Sequence, residues 1–458
     1  MKKKNIIIFG AGLLGLRIGD LLSQKGYHVE LVEASYAPGG MMGTFKRDFE
    51  GRDYYFDYGP HLLFHNFKDD YRDLIGDDLL DISSSFSMLV KGKRLAYPLK
   101  IKEMLMNLPF RDVVLTGMEV IYNQIAKRNV HSDSLEEWIT KRFGKIPFQQ
   151  FYAPYIQKCN GLPPNDVAVD WVTERTHVTG NSLLGTAYKR IKTALSKKDT
   201  APNNLPSSDR ITAYYPRKGA GEITDALAKR IQDKGGIIHI NSRVNKVIVT
   251  DNRLVNWISV KHGKQEVKLY ADYYISTIPL PVLIKNITPA VSISYLEAAN
   301  CLKYRQLILM YLIIDQPRVL DCIEVFFADK EVIFKRIYEP KSLSDYMAPP
   351  HRTSLCLEIC CNETDDFSEE EVYQKAIDNL RQTGVVTPDK ISHYFTIRVP
   401  YAYPIYCQGF KEKVNLLLDY IKSINNLTTI GRQGLFKYHA MTNETMEMAV
   451  QLANSFVD

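Results

Sequence analysis

Asn5-Ile6-Ile7-Ile8-Phe9-Gly10-Ala11-Gly12-Leu13-Leu14-Gly15 decides how the rest of this chain is read. The β-branched run Ile6–Ile8, closed by Phe9, reads as a strand buried on both faces. It leads straight into a G-x-G-x-x-G turn and then a helix ending near Lys25-Gly26. A second strand, His28–Glu33, finishes on an acid 18 positions after Gly15. This is a β-α-β unit of the kind that cradles a dinucleotide. Gly10 permits the tight turn, Gly12 lets the backbone approach a pyrophosphate, and Gly15 lets the helix pack against the strand. The helix N-terminus offers N–H groups and a positive dipole end to the phosphates. Glu33 can accept hydrogen bonds from a ribose diol and would repel a 2′-phosphate, so NADP is disfavoured.

At 458 residues the chain is long enough for two or three domain-sized units. Its 45% apolar and 24% charged residues are ordinary globular proportions, so a sizeable core is expected. The net charge of +6 is small for this length, and no basic run is interleaved with aromatics, so no nucleic-acid partner is expected. Seven scattered cysteines form no C-x-x-C and no metal-ligand spacing. They read as reduced thiols in a cytoplasmic protein without a metal. No stretch reaches 18 apolar residues, so no transmembrane segment is expected, which leaves attachment to a membrane surface open.

Beyond Glu33, the pair Gly39–Gly40 allows a second close approach of backbone to the cofactor. Tyr58-Gly59-Pro60-His61 then ends an aromatic-rich strand and turn. From Phe86 to about Lys198 the pattern reads as mostly helical, with a capping box at Ser134–Glu137. Ser196–Arg210 is polar and reads as a mobile loop, either a lid or a surface insertion. Tyr215-Pro216-Arg217-Lys218-Gly219-Ala220-Gly221-Glu222 opens a helix, and strands run on to Ser276-Thr277-Ile278-Pro279. Residues 306–314, 323–327, 332–338, 354–360 and 391–398 read as antiparallel strands at meander-like spacing, with a capped helix Ser368–Gln382 inserted. A last strand meets Gly431-Arg432, and a helix follows Met441.

Gly10–Gly15, Glu33, Gly39–Gly40, Tyr58–His61, the Tyr215–Glu222 segment, Ser276–Pro279 and Gly431-Arg432 together resemble the flavin-dependent amine oxidase superfamily. Within it, the chain is similar to the protoporphyrinogen-oxidase-like branch and to UDP-galactopyranose mutase. The resemblance implies an α/β fold: a Rossmann-like FAD-binding domain with a discontinuous α+β substrate domain made of a helical block and an antiparallel sheet. The implied segments are 1–85, 211–285 and 426–458 for FAD binding, 86–210 for the helical region and 286–425 for the sheet. It also implies FAD bound in an extended form. The ADP half would lie on Gly10, Gly12, Leu13, Leu14, Gly15, Glu33 and Ala34, with Gly39, Gly40, Met41 and Thr277 beside it. Backbone near Val244 would reach the adenine. The flavin would sit near Pro60, His61 and Leu62, with Gly431 and Arg432 near the diphosphate and Met441 and Thr442 at the pyrimidine edge. A helix N-terminus there would stabilise negative charge on reduced flavin.

Two functions follow from different classes. One is an FAD-dependent oxidoreductase moving a hydride to or from an organic substrate. The other is a mutase-like isomerase acting on a nucleotide sugar with reduced flavin, in which the tyrosine matching Tyr438 holds the diphosphate. His439 and Ala440 depart from the mutase tail, and the Asp170–Gly219 region looks oxidase-like, so the oxidoreductase is preferred. His61, Arg217, Tyr438 and His439 are the catalytic candidates, His439 either as a proton shuttle near neutral pH or as a hydrogen-bonded spacer. Arg175, Arg217, Tyr403 and Tyr438 are the substrate-facing candidates. Arg217 could take a carboxylate or phosphate bidentately, or serve only as an interdomain salt bridge. The substrate is a small molecule, and the oligomeric state is left open.

Overall fold

The structure is a computed structural model that describes residues 4–97, 99, 101–125, 133–176, 211–438 and 441–456. At its centre lies a five-stranded parallel sheet in the order Leu427–Thr429, Tyr273–Ser276, Asn5–Phe9, His28–Val32, Ile237–His239. The alternation along Asn5–Phe9 explains why this strand is central. Ile6 and Ile8 enter one apolar cluster with the first helix, while Ile7 and Phe9 enter another on the opposite face. The first helix, Leu13–Gln24, buries nine of its residues and lies against the C-terminal helix Thr442–Ser455. A four-stranded sheet (Gln265–Leu269, Val255–His262, Ser242–Val249, Ile287–Thr288) stands beside this unit.

The second large sheet has seven strands, in the order Ile391–Pro404, Tyr304–Ile314, Thr353–Cys361, Phe334–Tyr338, Glu324–Phe327, Phe86–Val90, Lys93–Ala96. Along Tyr304–Ile314 the even-numbered side chains from Ile308 to Ile314 pack with the helix Glu369–Thr383. The odd-numbered ones, Leu307 to Ile313, pack on the hairpin Thr44–Phe49/Arg52–Asp57. A period of two with both faces apolar makes a sheet covered on both sides. The helix Glu369–Thr383 opens with the expected capping box, Ser368 with Glu371.

Three expectations are corrected. The stretch from Phe86 begins with two strands rather than a helix, and Phe86–Val90 pairs in parallel with Glu324–Phe327. Alternating apolar residues Met88 and Val90 supply the strand signal, because they enter the core while Leu95 and Phe86 complete the pair. The sheet is also no simple meander, since Tyr304–Ile314 is flanked by Thr353–Cys361 and Ile391–Pro404. Finally, Ser134 is the N-cap residue of Leu135–Phe143 but makes no side-chain cap bond; its hydroxyl donates to Asn165 instead.

Candidate functional site

Four distant pieces of chain meet at the start of the first helix. Gly10 N–H donates to Val32 O (2.8 Å), and Gly39 N–H donates to Ala11 O (2.7 Å), which lays Gly39–Gly40 across the glycine turn. Thr277 Oγ1 donates to Phe9 O at 2.8 Å, and Ile430 N–H donates to Ser276 O at 2.9 Å, bringing Gly431 against Leu14. An added Cβ on Gly15 would overlap the carbonyl oxygen of Gly10, and one on Gly431 would overlap Leu14. Those two glycines are required by the protein's own packing. Gly12 is different. A Cβ there would find its nearest neighbour, Gly39 O, at 3.9 Å, and its backbone (φ −75°, ψ 179°) suits any residue. The helix it caps has no side-chain cap and no acid in its first turn. Open space above free helix N–H groups fits a pyrophosphate.

Glu33 accepts from Ala11 N–H (2.8 Å) and from Ser35 N–H (2.9 Å), which fixes its carboxylate at the strand end and leaves lone pairs for a diol. Glu33 O and Ser35 O accept from Ser242 N–H and Asn241 N–H, bringing the strand that carries Val244 to the same edge. A register shift between Val244 and Lys246 loosens the ladder there. Ala34 follows Glu33, and Met41 packs partly buried in the cluster under the second sheet.

The His61 end is held by a different set of bonds. Thr442 Oγ1 donates to Leu62 O at 2.7 Å, so the start of the C-terminal helix touches the Pro60–Leu62 loop, and Met441 N–H donates to Glu444. Beneath it lies Asp57, fully buried. Its carboxylate accepts from Tyr215 and Thr44 hydroxyls and from Ala220 N–H, and its peptide oxygen accepts from both Tyr311 and Tyr338 hydroxyls at 2.6 Å. This is what the Tyr215–Glu222 segment does: Gly219 and Gly221 come close to Thr44 and Asp57 where no side chain fits. Burial pushes the Asp57 carboxyl up to about 6, against the pull of its hydrogen bonds. His61 keeps some accessible surface by area, yet the protein around its ring pushes it down to about 4 through desolvation. It is therefore neutral, with Nδ1–H donated to Gly59 O at 2.8 Å and Nε2 left as an acceptor.

Close enough to His61 for Arg336, Glu358 and Arg432 to act on its ring is a set of charges that the sequence reading missed. Arg336 bonds Glu324 (2.6 Å) and Glu358, and Lys335 pairs with Glu358 at 3.0 Å. Consecutive residues of a strand normally point apart. Here the register shift between Phe334 and Arg336 lets Lys335 and Arg336 reach one carboxylate. Burial opposes ionisation of Glu358, but Arg336 and Lys335 outweigh it and hold the carboxyl at about 2. Burial pushes Glu324 up despite Arg336. Lys335 Nζ stands 4.0 Å over the Tyr403 ring, Tyr403 stacks on Tyr438 (5.0 Å, 23°), and Arg432 Cζ lies 5.7 Å from the Tyr403 ring centroid. Tyr438 is fixed by Trp171 edge-on and by its N–H donating to Tyr406 Oη, which itself donates to Glu174. Arg432 Nη1 donates to Ala402 O at 2.7 Å. The signal for the missed residues was present: Glu324, Lys335-Arg336 and Glu358 are charges inside otherwise apolar strands, and buried charges are rare unless paired or functional.

Not every candidate joins this group. Arg217 donates to Asp78 at 2.6 Å and lies over Tyr346, half in solvent, so of its two readings the structure realises the salt bridge. Tyr401 is exposed and Tyr406 is buried as a support for Tyr438. His439, the side chain of Arg175 and the loop 196–210 lie outside the described residues. Among the described residues no cluster of His, Cys, Asp and Glu could hold a metal, and no helix is long and apolar enough to cross a membrane.

A parallel sheet of the dinucleotide-binding kind, with four segments of backbone meeting at its glycine turn and a second, sheet-based unit attached, defines a dinucleotide-binding fold. The family model for flavin containing amine oxidoreductases matches residues 15–411, and the chain belongs to that family, with FAD as its cofactor. Among curated proteins it is 26% identical to the chloroplastic protoporphyrinogen oxidase of Nicotiana tabacum over 247 residues, 50% of this chain and 43% of the tobacco enzyme. It is 25% identical to a 4,4′-diapophytoene desaturase of Methylomonas sp over 375 residues, 75% of this chain and 67% of that one. The chain thus spans less than half the length of the tobacco relative. A reduced UDP-galactopyranose mutase superposes with TM-score 0.81 at 19% identity, covering 99% of this chain and 94% of the other. A putative protoporphyrinogen oxidase from Exiguobacterium sp. 255-15 superposes with TM-score 0.72 at 14% identity, covering 99% of both. The expected fold and cofactor are both borne out.

Proposed function

We propose that the chain is an FAD-dependent oxidoreductase that moves a hydride between flavin and an organic substrate of small or medium size. The bound flavin supplies the two-electron acceptor. The chain's own residues do the rest: Gly12 and Gly39–Gly40 admit the pyrophosphate, Glu33 takes the ribose, and the Pro60–Leu62 loop with Thr442 seats the ring. The carrying observation is the charge balance around Arg336, near His61. Arg336 has both terminal nitrogens committed to Glu324 and Glu358, and Lys335 is committed to Glu358. Arg336 Nε is buried without a partner. These cations are thus set against the chain's own carboxylates, whereas a diphosphate needs cations that are not already neutralised. Tyr403 and Tyr438 offer flat apolar surface, and Tyr97 stacked on Phe326 (4.0 Å) extends it beside Arg336. Neutral His61 accepts a hydrogen bond and orients the substrate.

The mutase reading is favoured by one arrangement, the Tyr403–Tyr438 stack beside Arg432, since Tyr438 matches the tyrosine that binds diphosphate in the mutases. The two readings separate on one experiment. The flavin-loaded protein is reduced anaerobically and offered nucleotide sugars, and the oxidised protein is offered candidate organic substrates with oxygen or a quinone. Acceptor consumption coupled to substrate oxidation supports the proposal. Isomerisation of a nucleotide sugar by the reduced protein without net electron consumption overturns it.

A further inference from the structure

Two cysteines from distant parts of the chain meet beside the charges around Arg336. Cys159, on the helix Ala153–Asn160, is buried, and Cys360, on the strand Thr353–Cys361, keeps some accessible surface. Their thiols hydrogen-bond with one another. The surrounding chain holds them together from both sides. Lys158 Nζ donates to the carbonyls of Phe327 (2.9 Å), Asp329 (2.7 Å) and Phe334 (3.3 Å), and Phe334 pairs with Ile359, the residue before Cys360. On the other side, Arg305 donates to Lys158 O (3.3 Å) and to Asn362 Oδ1, and Gly161 makes room for that guanidinium where a Cβ would overlap it. The end of the helix is thereby seated on the end of the strand. With a period of two, Cys360 shares the face of Glu358, whose partner Lys335 also acts on the Cys360 thiol. Cys361 belongs to the opposite face, in the cluster under Glu369–Thr383.

We propose that Cys159 and Cys360 are a redox modification site: hydrogen peroxide closes them into a reversible disulfide that staples the helical region to the sheet. Cys360 is the accessible member and reacts first. Its sulfur takes one peroxide oxygen as the O–O bond breaks, giving a sulfenic acid and one water. The Cys159 sulfur then displaces the hydroxyl, which leaves as a second water while the S–S bond forms. Two thiols lose two electrons and two hydrogens, and one peroxide gains them. A partly exposed thiol among cations, with a second thiol already in contact, is the arrangement such chemistry needs. The hydrogen bond with Cys159 and burial push the Cys360 thiol up, while Lys335 and Arg305 pull it down, so the pair rests protonated and reacts faster as pH rises. The bridge would close a loop of about 200 residues and fix the strand two positions from Glu358. The inference does not depend on which reaction the flavin serves.

The test treats the full chain, loaded with flavin, with hydrogen peroxide, alkylates the remaining thiols under denaturing conditions and maps the peptides by mass. The wild type is expected to yield a peptide linking Cys159 to Cys360 that dithiothreitol separates. Its thermal midpoint should rise by about 5 °C on oxidation and return on reduction. Cys159→Ser should give no linked peptide and no rise, with Cys360 trapped as a sulfenic acid by dimedone. Cys361→Ser should still give the linked peptide. The inference is overturned if the exposed Cys301 is oxidised while Cys159 and Cys360 stay unlinked. A link from Cys159 to Cys361, or the same midpoint rise in Cys159→Ser, overturns it equally. The wild-type peptide map decides even if a serine variant fails to fold.

Discussion

Replacing Glu358 by Gln removes one charge from a buried set that otherwise balances. Glu358 is 1% exposed, and its carboxyl is held at about 2 against an ordinary 4.5. A difference of about 2.5 pH units corresponds to about 3 kcal/mol of stabilisation of the charged form. Breaking a buried pair by removing one partner costs about 3–5 kcal/mol in other proteins, which agrees. Because the folded pKa is depressed, this stabilisation is complete above about pH 4.5 and is lost as pH falls towards 2. Urea unfolding at neutral pH should therefore show the variant less stable by about 3 kcal/mol, with the gap narrowing in acid. The substitution also frees Lys335 and half of Arg336, so the variant should bind a nucleoside diphosphate more tightly than wild type, measured by perturbation of the flavin spectrum. A loss under about 1 kcal/mol together with unchanged diphosphate affinity would refute the view that these cations are already committed.

Gly12→Ala should leave the flavin-free protein as stable as wild type, because the chain has room for the Cβ, yet weaken FAD binding about tenfold or more, read by titrating flavin into the stripped protein. Gly15→Ala should lose both stability and flavin, since its Cβ meets backbone. Asp57 has a raised folded pKa, so wild-type stability should fall as pH rises from about 4 to about 6, by about 3 kcal/mol from this group. Asp57→Asn should remove that slope in urea midpoints taken across the window, and an unchanged slope would count against a buried ionising carboxylate. His61, neutral down to about 4, should contribute no inflection to the rate profile between pH 5 and 8; a wild-type inflection near 6.5 that vanishes in His61→Asn would contradict a desolvated, neutral ring. Arg217→Ala should change stability by less than about 1 kcal/mol and leave turnover intact, as expected of an exposed ion pair.

The glycines and Glu33 were legible because a phosphate-binding turn leaves a local signature of fixed spacing. The return of Thr277 and Gly431 to that turn was legible only through the resemblance, since nothing local says which strands become neighbours. The strands at Phe86–Ala96 were misread because a short edge pair has too few residues to show its period against helical flanks. Arg217 was ambiguous for a physical reason: a guanidinium after a turn suits a ligand or an aspartate equally, and Asp78 sits 139 positions away in sequence. The charge set around Arg336 escaped because pairing depends on a bulge in one strand and on the register of two others. Its sign was visible all the same, in four charged side chains set among Ile, Phe, Leu and Cys.

The junction at the first helix has a consequence for synthesis. Gly10–Gly15 leaves the ribosome early, but Gly431 reaches Leu14 only after the strand Leu427–Thr429 has paired with Tyr273–Ser276. The dinucleotide cradle therefore has its floor first and its far wall only about four hundred residues later. A nascent chain arrested before Leu427 would expose the apolar edge of Tyr273–Ser276 and hold flavin loosely at best. A complete cofactor cradle in this architecture waits on segments that are distant in sequence.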